Sequence, residues 1–381
     1  MDVLLYVYIA FSFIVFVFLL ALDTRSAFRK TAFNKVRHGY MPNVLVIIPC
    51  RGVDLTLEKD LKSIKLQKYR KFKAIAVVDG HEDKSIPAIK GAGLDYMVSG
   101  GPRGKSSGKV AAILAAVRRF NNYNVYVIAD SDIEVDESWL ANLMAPMRDG
   151  RVGISTMFPY FNPLGGFWSK VKMAWGFVGE SLLEEESSRF GWGGALAFRR
   201  SLVDKWFINL ATRTEYGISD DICLTMAAKR KRFRIAYTKN SQPKVNSDDN
   251  FGKFIEWANR QTALTLLGYR KNLYLGVVYY SAEIVLFVSA IVLSIFISPL
   301  FLVYLLHLIR SYWKTYARSG KAYLELLLIV PMMPFMYLSN LLIANGMSSI
   351  SWRGRKYNIV AHSQTGRKPV NTSGAAHPSK A

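Results

Sequence analysis

The stretch Val125 to Asp132, VYVIADSD, decides the fold. Its first five residues leave no polar face, which is how a strand reads when both faces of its sheet are covered. Two carboxylates, Asp130 and Asp132, follow at once, separated by Ser131. After a buried strand such a pair can turn toward one hard cation. Mg2+ or Mn2+ prefers carboxylate, phosphate and water oxygens. A D-x-D string alone is weak, because most chance matches are surface turns; its place behind VYVIA gives it weight.

Upstream, Asn43 to Pro49 (NVLVIIP) is a short β-branched run closed by proline, and Phe72 to Val78 (FKAIAVV) is another, ending in Asp79-Gly80. Leu57 to Leu66 and Lys109 to Phe120 carry apolar residues at helical spacing. Strand, helix, strand, helix, strand predicts an α/β fold with a doubly wound, mostly parallel sheet, whose ligands bind beyond the carboxyl ends of the strands. Asp79 and Asp130 therefore face one crevice. No GxGxxG opens the first helix, which argues against a dinucleotide site. Gly100 to Lys109, GGPRGKSSGK, resembles a P-loop only loosely, since Ser99 stands where the first glycine belongs and no clear strand precedes it. It reads as a basic loop beside phosphates, with Lys105 or Lys109 supplying charge, or as a solvated loop. His81 is either near a ligand or an ordinary loop histidine.

Three apolar regions flank this block. Residues 3 to 22 are uncharged and long enough to cross a bilayer. Positive charge follows the run (Arg25, Arg29, Lys30, Lys35, Arg37) rather than preceding it, so an anchor fits better than a secretory signal, with the next domain in the cytoplasm. Residues 272 to 309, interrupted by Glu283 and Pro299, predict two joined spans. Residues 322 to 345, with Pro331 and Pro334, predict a kinked span or a re-entrant hairpin. The expected order is an anchor (1–24), a basic linker (25–41), a cytoplasmic catalytic domain (42–271), a membrane region (272–350), and a basic terminal segment with a disordered tail (351–381). Residues 158 to 178, holding Phe161, Phe167, Trp168, Trp175 and Phe177 with Lys170 and Lys172, either lie along the membrane or form a buried helix and loop.

A net charge of +22 calls for a polyanionic partner, nucleic acid or an anionic membrane. Much of that charge flanks the apolar runs, which favours the membrane over nucleic acid. Cys50 and Cys223 make no disulfide framework, and the histidines show no HExxH pattern, so neither a disulfide scaffold nor a zinc site is expected. Farther along, Ile218 to Leu224 (ISDDICL) sets Asp220 and Asp221 before a helical run. They read either as helix caps or as a source of a general base.

Several strings in order resemble family 2 glycosyltransferases of the GT-A fold, particularly the membrane-bound branch that includes ceramide glucosyltransferase. They are IIPCRG (47–52), VVDG (77–80), GKVAAI (108–113), ADSD (129–132), GWGGALAFRR (191–200), ISDDICL (218–224) and SWRGRKY (351–357), and the resemblance spans roughly residues 1 to 360. It implies a GT-A nucleotide-sugar-binding domain between N- and C-terminal transmembrane helices. It further implies inverting, metal-dependent transfer of one sugar, UDP-glucose first, to a membrane lipid, with Mg2+ or Mn2+ as cofactor and no nucleic acid as partner. By position, Pro49, Arg51 and Asp79 would wall the donor's base and ribose, with Lys109 nearby. Asp130 and Asp132 match the metal and diphosphate pair. Gly193 and Gly194 match the loop under sugar and acceptor, Asp220 stands on the acceptor or product side, and Asp221 matches the catalytic base. The family's QxxRW string departs here to Lys253-Phe254-Ile255-Glu256-Trp257. Trp257 is kept, and Arg260 and Gln261, one turn on, are the candidates to restore the phosphate contact; Trp257 alternatively anchors at the membrane interface. The departure and the small number of spans weigh against a processive polysaccharide synthase. A basic membrane scaffold or nucleic-acid-binding protein is the non-enzyme alternative.

Overall fold

The computed structural model describes residues 3–28, as backbone alone from 22 to 28, and residues 41–359. The linker charges from Arg29 to Arg37 and the tail from 361 lie outside the described residues.

The chain opens with helix α1 (Val3–Phe28), then β1 (Val44–Pro49), α2 (Leu57–Lys65), β2 (Phe72–Val78), α3 (Ile86–Gly91) and β3 (Asp95–Val98). Next come α4 (Gly108–Arg119), β4 (Val125–Ala129), β5 (Ile133–Glu134), α5 (Trp139–Met144), β6 (Val152–Thr156) and β7 (Tyr160–Pro163). The third quarter holds α6 (Phe167–Glu184), β8 (Ala195–Arg199), α7 (Lys205–Arg213), α8 (Asp220–Arg230), β9 (Arg234–Tyr237) and β10 (Lys244–Ser247). The chain ends with α9 (Phe251–Gly268), α10 (Lys271–Phe296), α11 (Leu306–Ser319), α12 (Leu326–Gly346), β11 (Ser349–Trp352) and β12 (Arg355–Asn358).

The main sheet runs β3-β2-β1-β4-β8-β6-β9. VYVIA is β4, buried at every position, and β1 is buried from Val44 to Ile48, as strands covered on both faces must be. The pairs β2–β3, β1–β2, β1–β4 and β6–β9 are parallel; only β8 runs against its neighbours β4 and β6. That reversal has a purpose for the site. Ala195, the first residue of β8, pairs with Ala129, the last of β4, so the glycines before β8 lie beside the acids after β4. A second sheet, β5-β10-β7, covers the same end.

Helix α2 carries a fully buried carboxylate, Asp60, which accepts from Thr56 Oγ1 at 2.7 Å while its other oxygen has no hydrogen-bond partner. Burial raises its pKa to about 7, against the Thr56 hydroxyl, with the charges of Asp132 and Glu134 adding to the rise. A folded-state pKa above the unfolded one stabilises below the unfolded value, and the gain is lost as pH rises through the folded value. Between pH 5 and 8 wild type should therefore lose on the order of 2 kcal/mol that Asp60→Asn does not lose. Thermal unfolding of both proteins in detergent at the two pH values checks this. A stability gap independent of pH would contradict it.

Among the described residues, three helices are long and apolar enough to cross a membrane: α1, α10 and α12. The region 272–309 holds one such helix, not two. Pro299 starts a 3-10 turn after Ser298, and the chain beyond it forms α11. This helix buries His307 and Leu308 and exposes Leu306, Ile309, Trp313 and Tyr316, an amphipathic pattern with interspersed arginine and lysine rather than a span. Pro331 and Pro334 lie inside α12, which is one continuous helix and not a hairpin.

The segment 158–178 is also internal. Phe161, Trp175 and Phe177 are buried, Lys170 pairs with Glu325 at 2.5 Å, and Lys172 pairs with Asp249 at 3.0 Å. Glu184, the last residue of α6, is bound by Lys239 and Arg318. Helix α6 is thus a seam between the α/β block and the membrane helices. Trp175 Nε1 donates to Asn340 Oδ1 of α12 at 2.9 Å, and Asn340 Nδ2 donates to Asn259 Oδ1 of α9 at 2.7 Å. Buried polar groups with every partner in place hold one arrangement of the helices.

Candidate active site

Strand ends and helix starts converge at the open edge of the sheet. Pro49 ends β1, Asp79 follows β2, Asp130 and Asp132 follow β4, and Asp220 and Asp221 begin α8. The Asp130 N–H donates to Gly194 O at 3.0 Å, which locks the acidic turn to the glycine loop. Pro49, Arg51, Asp79, Lys109, Asp130, Asp132, Gly193, Gly194, Asp220, Asp221, Trp257, Arg260 and Gln261 all line one cavity of about 1420 Å3.

Lys109, in the first turn of α4, joins three parts of the site. Its ammonium lies 2.7 Å from Asp130 Oδ1 and 3.3 Å from Asp220 Oδ1, and donates to Gly193 O at 3.1 Å. Burial works against this charge, but Asp130 and Asp220 outweigh it and raise the lysine pKa. Gly193 must be small because a Cβ there would stand 2.3 Å from Asp220 Oδ2. Lys105 is exposed and does not line the cavity. Its loop follows a strand after all, the short β3, and is held by the Lys105 N–H donating to Thr212 O at 2.9 Å. His81 lies in an exposed turn.

The two acids at the start of α8 differ. Asp220 is buried and tied to Lys109, and one of its oxygens has no hydrogen-bond partner. Burial raises its pKa to about 6, against Lys109, with Asp221 and Asp130 adding to the rise. Asp221 is half-buried, accepts from the Ser219 hydroxyl and from Ile222 N, and has its pKa raised by burial against the Ser219 bond. Ser219 Oγ also accepts from Ile222 N, as a helix cap does. The helix cap and a cavity-lining carboxylate thus share one turn.

Asp132 has no basic partner at ion-pair distance among the described residues. Burial raises its pKa to about 6, with further rises from Asp130 and Asp54 and an opposing pull from Arg353. Asp54, absent from the sequence reading, accepts from Ser131 Oγ at 3.1 Å. No group of three or more His, Cys, Asp or Glu among the described residues could by itself enclose a metal ion. Yet the donor set suits a hard cation. Asp130 already binds one positive charge, the Lys109 ammonium, and negative charge crowds Asp132; diphosphate and water oxygens would complete a coordination shell.

Trp257 is half-buried on the cavity wall and packs against aromatic residues of the segment 158–178. Its ring meets Phe161 at 5.0 Å and Trp175 at 4.9 Å, and Lys172 Nζ stands 4.9 Å from its centre. Glu256 and Lys253, where the family string has arginine and glutamine, also line the cavity, as does Arg260, whose pKa burial lowers against Glu256.

Four lining residues come from a segment read in the sequence as basic terminus: Trp352, Arg353, Arg355 and Tyr357 of the β11–β12 hairpin. Their string was visible, but its place was not, because it follows the last span. The available signal is the Arg353-Gly354 pair, with φ of 50 and 73, a two-residue turn in which both central residues have positive φ.

The family model described as glycosyl transferase family 21 matches residues 4–365. The chain belongs to that family. This family 21 glycosyltransferase is an enzyme of the GT-A fold that moves a sugar from a nucleotide-sugar donor. The resemblance in the sequence is to family 2 and its ceramide glucosyltransferase-like branch; the matching family carries the number 21, and the GT-A glycosyltransferase reading stands. Membership leaves the scaffold and nucleic-acid readings without support. Among solved structures the chain is similar to the mannosyltransferase PcManGT from Pyrobaculum calidifontis in complex with GDP-Man and Mn2+. That likeness has 15% identity and a TM-score of 0.47, over 89% of this chain and 84% of the other. It is also similar to glucosyl-3-phosphoglycerate synthase from Mycobacterium tuberculosis in complex with Mn2+, UDP and phosphoglyceric acid, at 13% identity and a TM-score of 0.41, over 62% and 86%. Both likenesses are distant.

Proposed function

We propose that this glycosyltransferase transfers one hexose, with inversion, from a nucleotide sugar to the hydroxyl of a membrane lipid, with UDP-glucose as first donor. The observation that carries the lipid acceptor is the reach of the cavity. From Asp130 and Asp221 it extends to Phe18 of α1 and to Tyr274, Leu275 and Val278 of α10, all exposed residues on span-length helices. An acceptor with an apolar tail can approach there while its hydroxyl meets the carboxylates.

In this reading Asp221 accepts the acceptor's proton as its oxygen attacks the anomeric carbon. Gly193 and Gly194 leave room for sugar and acceptor, and Trp257 borders the acceptor side with Asp220, Arg260 and Gln261. Pro49, Arg51 and Asp79 flank the base and ribose, and Lys109 holds Asp130 in place. Asp130 and Asp132 would hold Mg2+ or Mn2+, and a divalent ion there stabilises charge on the departing diphosphate. The catalytic domain, 42–271, faces the cytoplasm by the charge following α1. The membrane region, 272–350, returns the chain to the site.

Membranes containing the protein, given labelled UDP-glucose, GDP-mannose and UDP-galactose in turn and then extracted for lipid, test this. The expected result is label in a lipid product carrying a single sugar, formed from one donor in preference and suppressed by EDTA. Label only in a long polymer, or none in lipid with any donor, would overturn the proposal.

A further inference from the structure

The C-terminal hairpin has no role in the reaction as described so far, yet it covers the nucleotide end of the cavity. Its base is fixed: Ile350 and Ile359 are buried in an apolar cluster with Ile218, Leu266 and Leu341, joining α12 to the segment before Asp220. Its tip is polar. Arg353 forks onto Asp54, at 2.5 Å and 2.8 Å, and its carbonyl accepts from Arg51 Nε at 2.8 Å. Arg353 also has φ of 50, a left-handed conformation uncommon for a bulky residue and persistent only where neighbours impose it.

Arg355 shares one oxygen with another cation. Its Nη1 lies 2.8 Å from Asp79 Oδ2, which also accepts from Arg51 Nη1 at 2.6 Å. That buried Nη1 makes no hydrogen bond, so it is held by charge alone. It lies against the start of α4, where a Cβ on Gly108 would stand 2.7 Å away and where Gly108 N donates to Tyr357 Oη at 3.3 Å. A guanidinium fork matches phosphate oxygens as well as carboxylates.

We infer that the β11–β12 hairpin is a phosphate clamp on the donor site, in which Arg353 and Arg355 pass from Asp54 and Asp79 to the diphosphate of a bound nucleotide. This rests on the reading of the cavity as a nucleotide-sugar site. Because the hairpin follows α12 directly, the clamp ties donor binding to the last membrane helix.

Binding to the full-length detergent-solubilised chain is measured with UDP and uridine, and with GDP and guanosine, for wild type, Arg353→Ala, Arg355→Ala and Arg355→Lys. The clamp requires that each alanine variant lose tenfold or more in diphosphate affinity while nucleoside affinity stays unchanged, with partial recovery in Arg355→Lys. Unchanged UDP and GDP binding in the alanine variants would overturn the clamp and leave the glycosyltransferase site standing. An equal loss of nucleoside and nucleotide would reduce the hairpin to a structural cover and overturn it too. If wild type bound no nucleotide, the donor-site reading and the clamp would fall together.

Discussion

Asp221→Asn should lower turnover by about 10²–10⁴-fold, the range for loss of a general base, while nucleoside diphosphate binding stays within a factor of about 3. The substitution keeps the shape of the side chain and its hydrogen bond from Ile222 N. What it removes is a proton acceptor at the cavity. Asp220 cannot replace it easily, being buried and held by Lys109. Asp220→Asn should instead loosen Lys109 and with it Asp130 and the Gly193 loop. The pH profile separates the two acids. Burial raises the Asp221 pKa, and a base works only when ionised, so the acidic limb of kcat/KM should lie above the ordinary carboxylate range. Initial rates across pH, with UDP binding measured in parallel, check both points. Turnover within tenfold of wild type in Asp221→Asn would remove this residue from the base role.

What could be read in advance follows from how each element is stabilised. β1, β4 and the second half of β2 are apolar on both faces, so their sequences carry the signal without knowledge of their partners. The acids after them inherit a position from that topology. β8 is buried from Ala195 to Phe198, but its direction depends on pairing across the chain, which composition does not encode. The same holds for α6: its aromatic and lysine residues suit either a membrane surface or a core, and only Glu325, Asp249 and Asn340, distant in sequence, decide for the core. Asp54 was missed because it stands in a loop with no pattern, and its partners Ser131 and Arg353 come from far along the chain. The break at Pro299 is visible in the sequence; the amphipathic spacing beyond it, which sets α11 apart from the spans, is hidden at the end of a long apolar run.

Asp132→Ala should be the other severe substitution, lowering transfer by about 10²-fold or more, because stabilisation of leaving-group charge by a metal amounts to several kcal/mol. Asp132 sits where burial and the charges of Asp130 and Asp54 already disfavour an unaccompanied carboxylate. Removing it relieves that crowding, so the variant should fold, and its defect should appear in the reaction and in metal binding. Asp130 differs because Lys109 already accompanies it. Its loss would strand a buried ammonium beside Asp220 and confuse a metal effect with a folding effect. Asp132 is therefore the cleaner probe.

The decisive measurement is a Mn2+ titration followed by electron paramagnetic resonance, on wild type and Asp132→Ala, each with and without UDP. Wild type should take up about one ion per chain with UDP present and bind it far more weakly without, since the nucleotide completes the coordination shell. Asp132→Ala should lose that UDP-dependent uptake. Equal, UDP-dependent uptake by both proteins would mean that these carboxylates do not gather the ion, and the chemistry assigned to the open end of the sheet would be wrong.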